Sequence, residues 1–193
     1  MLFKTSDITA KIQEQQDNNI APAVSYAVGV DDHAGYVKYG FNSRKTFFYF
    51  SFYKAFDLEA FKANVHNASI LADQLALLIN FYVPDPKLLT VVTTPKRSHT
   101  YKLGYNFASE ILYRVKEKTG IIFLEDVFTA RNKNKLEPEF TQNKIIETKN
   151  VFLFDDILTT GKTVFTCLDL IRSNPENACS SMNVPVIVGI NNN

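Results

Sequence analysis

Residues 151–154, Val-Phe-Leu-Phe, form an unbroken apolar run that stops at two adjacent carboxylates, Asp155 and Asp156, and passes two residues later into Thr-Thr-Gly. A short segment that is apolar at every position suits a strand covered on both faces, and so a parallel sheet held between helices. Ligands bind open α/β sheets at the carboxyl ends of their strands, where the two aspartates fall. Thr159, Thr160, Gly161, Lys162 and Thr163 then supply backbone N–H groups, hydroxyls and the start of a helix, which together favour a phosphate dianion. The aspartates would repel that phosphate. They suit sugar hydroxyls, for which a carboxylate is a pure acceptor, and a hard cation such as Mg²⁺. The expected ligand is therefore a phosphorylated sugar.

Gly161-Lys162-Thr163 also reproduces the last three positions of the nucleotide-binding loop GxxxxGK[ST]. The first glycine of that loop would be residue 156. Asp156 stands there, and its carboxylate would project into the space meant for nucleotide phosphates. The bland alternative is a strand, an Asx-type turn and a capped helix with no ligand. The unbroken run of elements favours the sugar-phosphate reading over both.

Strand-like and helix-like segments alternate from residue 88 onward. Strands are expected at 88–92, 121–128, 151–155 and 184–190, and helices at 106–118 and 161–173. This alternation predicts an α/β fold with a doubly wound, mainly parallel sheet. Upstream lies an N-terminal α+β elaboration: a short helix from Ser6-Asp7, a meander of strands over 23–30, 35–41 and 46–54, and a long helix. Asp57 is the expected cap of that helix, with Phe61, Val65, Ala68, Ala72, Leu75, Ile79 and Tyr82 as its core stripe and Pro84 and Pro86 ending it. The division is 1–87 for the elaboration and 88–193 for the core, together forming one compact domain.

With 21 basic and 20 acidic residues the chain has no global field to draw in nucleic acid. Cys167 and Cys179 have neither CxxC spacing nor a neighbouring histidine, so zinc and a secreted disulfide framework are not expected. No apolar run is long enough to span a bilayer, and residues 1–19 lack a signal-peptide core. A cytoplasmic protein with no membrane partner is expected.

Two further segments bear on charge. Thr93-Thr94-Pro95-Lys96-Arg97-Ser98-His99 follows the first core strand, and it is either a cationic loop facing a pyrophosphate or simply a solvated one. His99 is given no role. Residues 131–149 are polar and charged without a sustained period, as in a mobile excursion or a weak hairpin, with Arg131 and Lys133 as its cationic candidates.

The run DDILTTGKT resembles the phosphoribosyl pyrophosphate (PRPP) signature of type I phosphoribosyltransferases: two acidic residues, two spacers, Thr-Thr-Gly, any residue, then Thr or Ser. The resemblance implies a phosphoribosyltransferase fold over residues 88–190, and only loosely over 20–87. It implies that Asp155 and Asp156 face the ribose hydroxyls and Mg²⁺, directly or through water, and that Thr159 through Thr163 wrap the 5′-phosphate. Lys102-Leu103-Gly104-Tyr105-Asn106-Phe107 is similar to the R-G-[FY]-N-Q stretch of the competence-protein ComF-like branch, with Phe107 in place of Gln. That similarity makes Lys96, Arg97 and Lys102 the pyrophosphate-side candidates. Arg131 then joins the two aspartates as a catalytic candidate, on a segment that closes over the reacting centre. This segment is shorter and poorer in arginine than in the ComF-like branch, and that branch's N-terminal zinc-spaced cysteines are absent.

The implied activity is transfer of a phosphoribosyl group from PRPP to a nitrogenous base with release of pyrophosphate. The alternative is a non-catalytic PRPP or nucleotide sensor with a regulatory or DNA-uptake role. The partners are PRPP and the base, with a homodimer left open. Base specificity would come from a hood built from residues 23–54 or from the segment after Pro185. Tyr36, Phe47 and Tyr49 are among many aromatic residues that could stack there.

Overall fold

The computed structural model describes residues 24–26, 33–42, 45–51, 58–96, 104–132, 137–158, 160–182 and 184–191. Among the described residues three strands come first: β1 (Val24–Tyr26), β2 (His33–Asn42) and β3 (Lys45–Ser51). Helices α1 (Leu58–Ala63) and α2 (Val65–Tyr82) follow, and a 3₁₀ turn (Pro86–Leu88) leads into β4 (Thr90–Thr93). Next come α3 (Phe107–Thr119), β5 (Ile122–Leu124), β6 (Phe128–Ala130) and β7 (Phe140–Gln142). The chain then enters β8 (Val151–Leu158), α4 (Lys162–Ser173) and β9 (Val186–Asn191).

The main sheet runs β1-β2-β3-β9-β8-β4-β5, and β6 and β7 form a separate antiparallel pair. β5, β4, β8, β9 and β3 are mutually parallel, and β2 and β1 add on antiparallel beyond β3. The expected α/β architecture with a mainly parallel sheet is present. The N-terminal meander belongs to the same sheet, because β3 pairs with β9.

The strands alternate their burial between two layers, as period-two geometry requires. Val91, Phe152, Phe154 and Ile187 pack against α2 and α3 through Leu75, Ile79, Ile111 and Leu112. Val92, Val151, Leu153, Val186 and Val188 turn to the other face, against Val164, Cys167, Leu168 and Ile171 of α4. Phe128 and Phe140 of the β6–β7 hairpin join this second layer. Burial on both faces is why residues 151–154 tolerate no polar position.

Local chemistry sets the helix limits. Asn106 caps α3 by accepting from the Ser109 amide at 2.9 Å, and Gly120 ends it in the left-handed region at φ 78°. None of the described helices is long and apolar enough to cross a membrane.

Several expected boundaries need correction. The long helix is two helices, because Asn64 adopts an extended conformation and caps α2 by accepting from the His66 amide at 3.0 Å. Phe61, Ala68, Ala72, Leu75 and Ile79 are buried as expected, but Val65, now in the first turn of α2, is 45% exposed. The single strand expected over 121–128 is β5 and β6, separated by a turn in which Asp126 holds φ 56°. The strand expected at 88–92 starts after the 3₁₀ turn, whose Asp85 caps it by accepting from the Lys87 amide. The strand expected to end at 155 runs on to Leu158, held by its ladder to β9. The helix expected from Ser6 and the Asp57 cap lie outside the described residues.

Candidate functional site

The crossovers diverge between β4 and β8. From β4 the chain passes through α3 to β5 on one side, and from β8 it passes through α4 to β9 on the other, with the two helices on opposite faces. A crevice at the carboxyl ends of two such strands is the ordinary ligand position in an open α/β sheet. β4 stops pairing at Thr93↔Phe154, while β8 continues beside β9 through Ile157↔Ile190 and Leu158↔Asn191. Asp155 and Asp156 therefore stand just where β8 loses its neighbour on the β4 side.

Their side chains leave on opposite faces, and each has its own partner. Asp155 is buried and accepts from the Thr94 hydroxyl at 2.8 Å, while the Thr94 amide donates to the Phe154 carbonyl at 3.2 Å. Thr94 thus links the first residues beyond β4 to the strand end. Asp156 faces the α1 side, where its Oδ2 lies 2.5 Å from the Lys62 ammonium, with both side chains largely buried. β9 fixes the backbone beneath it: a Cβ on Gly189 would lie 2.8 Å from the Asp156 carbonyl oxygen, so only glycine permits this approach.

The turn after β8 is built as the sequence suggests. Gly161 holds φ 74° and caps α4 without a side-chain bond, and no acidic residue occupies the first turn. The Thr160 hydroxyl accepts weakly from the Lys162 amide at 3.4 Å, and both residues are exposed. Thr163 is half-buried. The positive end of the α4 dipole is thus not offset by a carboxylate in that turn, as an anion site requires. Thr159 lies outside the described residues, as do Arg97, His99, Lys102 and Lys133.

Lys96 reaches the neighbouring strand end. Its ammonium lies 2.6 Å from Glu125 Oε1 and 3.0 Å from Asp126 Oδ1, and Tyr113 donates its hydroxyl to Glu125. Partial burial acts to lower the Lys96 pKa, but the hydrogen bonds and charges of Glu125 and Asp126 outweigh it and raise the pKa. For Glu125, burial acts upward, and the bonds from Lys96 and Tyr113 hold the carboxyl below its ordinary range. Lys96 is thus at the expected strand end with its charge already met by two carboxylates. Arg131 is exposed on the hairpin, where its Nε donates to Thr141 and its amide to the Glu139 carbonyl. The contacts described for it tie it to its own hairpin.

The structure therefore brings Asp155, Asp156, Thr160, Gly161, Lys162 and Thr163 onto one strand–turn–helix unit beside Thr94. Lys62, Glu125, Asp126 and Gly189 were not among the expected site residues. Lys62 gave little signal, since a lysine beside a buried phenylalanine looks like any solvated helix position. Glu125-Asp126 was hidden inside an expected continuous strand. Among the described residues no three His, Cys, Asp or Glu side chains gather as a metal cage would need.

No protein-family model matches this chain. No curated protein matches it either. Among solved structures, the human cytomegalovirus terminase nuclease domain, soaked with manganese and bound to an inhibitor, is similar at 13% identity. The match covers 82% of this chain and 59% of that one with a TM-score of 0.32, a likeness too slight to carry an argument about fold or chemistry.

Proposed function

We propose that the chain is a phosphoribosyltransferase-like protein that binds PRPP with Mg²⁺ and transfers its phosphoribosyl group to a nitrogenous base. The observation that carries this reading is the carboxylate pair at the crossover crevice, followed directly by the Gly161 turn and the start of α4. Carboxylates for hydroxyls and helix amides for a phosphate match the two ends of a ribose 5-phosphate.

The donor set fits a magnesium ion that arrives with the polyphosphate. Mg²⁺ keeps several waters and takes one or two carboxylates plus phosphate oxygens, and Asp155 and Asp156 are the carboxylates at hand. Bound there, it would neutralise charge gathering on the pyrophosphate. In the reaction, the bond from ribose C1 to the pyrophosphate oxygen breaks, the ring takes on oxocarbenium character, and a base nitrogen closes on C1. Because Asp155 and Asp156 leave β8 on opposite faces, Asp156 holds the ribose where it stands and Asp155 has to turn from Thr94 to join it, while the α4 turn anchors the 5′-phosphate. Lys96, Arg97 and Lys102 are the pyrophosphate-side cations, and Lys96 has to exchange Glu125 or Asp126 for phosphate oxygens. The hairpin carrying Arg131 excludes water.

Calorimetry with Mg·PRPP tests this reading. Asp155→Asn and Asp156→Asn should each weaken binding by at least about tenfold, the scale of one lost charge-assisted hydrogen bond. Unchanged affinity in both variants would sink the assignment.

The engagement of Lys96 with two carboxylates, and of Arg131 with its own hairpin, favours a second reading: a protein that recognises PRPP without turning it over. Single-turnover mixing with PRPP and a panel of bases separates the two. Pyrophosphate release with any base selects the enzyme, and tight PRPP binding with no release selects the sensor.

A further inference from the structure

We infer that Lys62 is a positioning residue of this site, a counter-ion delivered by the N-terminal half of the chain that fixes the carboxylate of Asp156. The inference rests on the sugar-phosphate reading of the strand end and adds to it a residue outside the signature.

The peptide around Lys62 is restrained from three sides. The Phe61 ring packs edge-on against Phe107 with centroids 5.7 Å apart, and the Phe61 carbonyl accepts from Asn67 Nδ2 at 2.9 Å. The carbonyl of Lys62 itself accepts from the Tyr105 hydroxyl. Tyr105 stands one residue before the Asn106 cap of α3, so Lys62 links α1, the entry to α3 and the end of β8. The ammonium that results from this placement meets Asp156 Oδ2 at 2.5 Å, with side-chain exposures of 11% and 14%. An ion pair this enclosed contributes little net stability, because desolvation offsets most of the attraction; its effect is on orientation. Oδ2 is directed at Lys62, so a ligand hydroxyl addresses Oδ1. Asp155 accepts from the Thr94 hydroxyl on the other face. Lys62 therefore acts on Asp156 through a side of the strand that Thr94 does not reach.

A double-variant cycle on the full chain tests the role. In calorimetry with Mg·PRPP, Lys62→Met should weaken binding about tenfold, the scale seen when the partner of a site ligand is removed. Lys62→Arg should recover most of that loss. In an Asp156→Asn background, Lys62→Met should change affinity by less than about twofold, because the pair acts as one unit. Wild-type affinity in Lys62→Met, or losses that multiply in the double variant, would overturn the role. Hydrogen exchange without ligand gives the independent readout: Lys62→Met should speed exchange at residues 155–158 and 104–107 together, and Lys62→Arg should not. A wild type that binds no Mg·PRPP but shows this linked exchange removes the ligand reading and keeps Lys62 as the residue that fixes Asp156. Unlinked exchange removes Lys62 whatever the ligand.

Discussion

Two glycines set the backbone on which the site stands, for different reasons. At Gly161 the constraint is torsional, since φ 74° is a conformation that L side chains resist, and a Cβ would also lie 3.0 Å from the Phe165 ring. Gly161→Val should cost roughly 1–2 kcal/mol from the left-handed backbone alone, more with the ring contact, and thermal unfolding measures it. If the α4 turn holds the 5′-phosphate, the folded variant should also lose Mg·PRPP binding. At Gly189 the constraint is space: a methyl group would meet the Asp156 carbonyl, which is backbone and cannot swing away. Gly189→Ala should part β9 from β8 and cost roughly 1–3 kcal/mol in urea unfolding. An unchanged midpoint would mean that the two strands separate without cost. Gly161 was legible in the sequence because Thr-Thr-Gly before a helix is a turn signal. Gly189 was not, because a glycine in a strand does not say which backbone approaches it.

At the scale of elements, the hairpin is anchored by one buried amide. Asn177, after α4, accepts from the Ile146 amide at 2.9 Å and from Gln142 Nε2 at 2.7 Å. It donates to Gln142 Oε1 at 3.1 Å and to the Ile171 carbonyl at 3.0 Å. Replacing it with leucine strands a buried N–H and a buried C=O at once. Asn177→Leu should therefore cost about 2–4 kcal/mol and raise hydrogen exchange at residues 140–146 before the sheet core is affected. Exchange that rises uniformly would place Asn177 in the global fold instead. Sequence reading found most elements here to within a few residues, since apolar periodicity and the alternation of strand-like and helix-like segments are local signals. It missed the break at Asn64 because the stripe through Phe61 and Ala68 runs on across it, and helix periodicity does not register one extended residue. It merged β5 and β6 because Glu125-Asp126 carries no glycine or proline, although Asp126 takes the backbone turn that glycine usually takes.

For the whole molecule, the Lys96–Glu125 pair gives stability a defined pH dependence. The Glu125 carboxyl titrates lower in the folded chain, so its contribution is present above the ordinary carboxylate range and is lost as pH falls through the lower folded value. The Lys96 ammonium titrates higher when folded, so its contribution is present below the ordinary amine range and is lost as pH rises through the higher folded value. Glu125→Gln should flatten both limbs of a urea-stability profile against pH, the acid limb more. An acid limb as steep as in the wild type would show that Glu125 gains nothing from Lys96. The two-layered parallel architecture was readable from residue 88 onward because alternation of strand and helix is written in the chain. The parallel joining of β3 to β9 was not, since no local pattern announces which distant strand a meander will meet.

That joining bears on the order in which a ribosome makes the protein. Phe47 pairs with Val186, and β9 is the interior strand that receives both β3 and β8. β3 must wait, with that edge unpaired, until residues 186–191 have been synthesised. During that interval the aromatic segment Thr46-Phe47-Phe48-Tyr49-Phe50 is an open edge, and chaperone occupancy in arrested nascent chains should persist until residues 186–191 leave the exit tunnel.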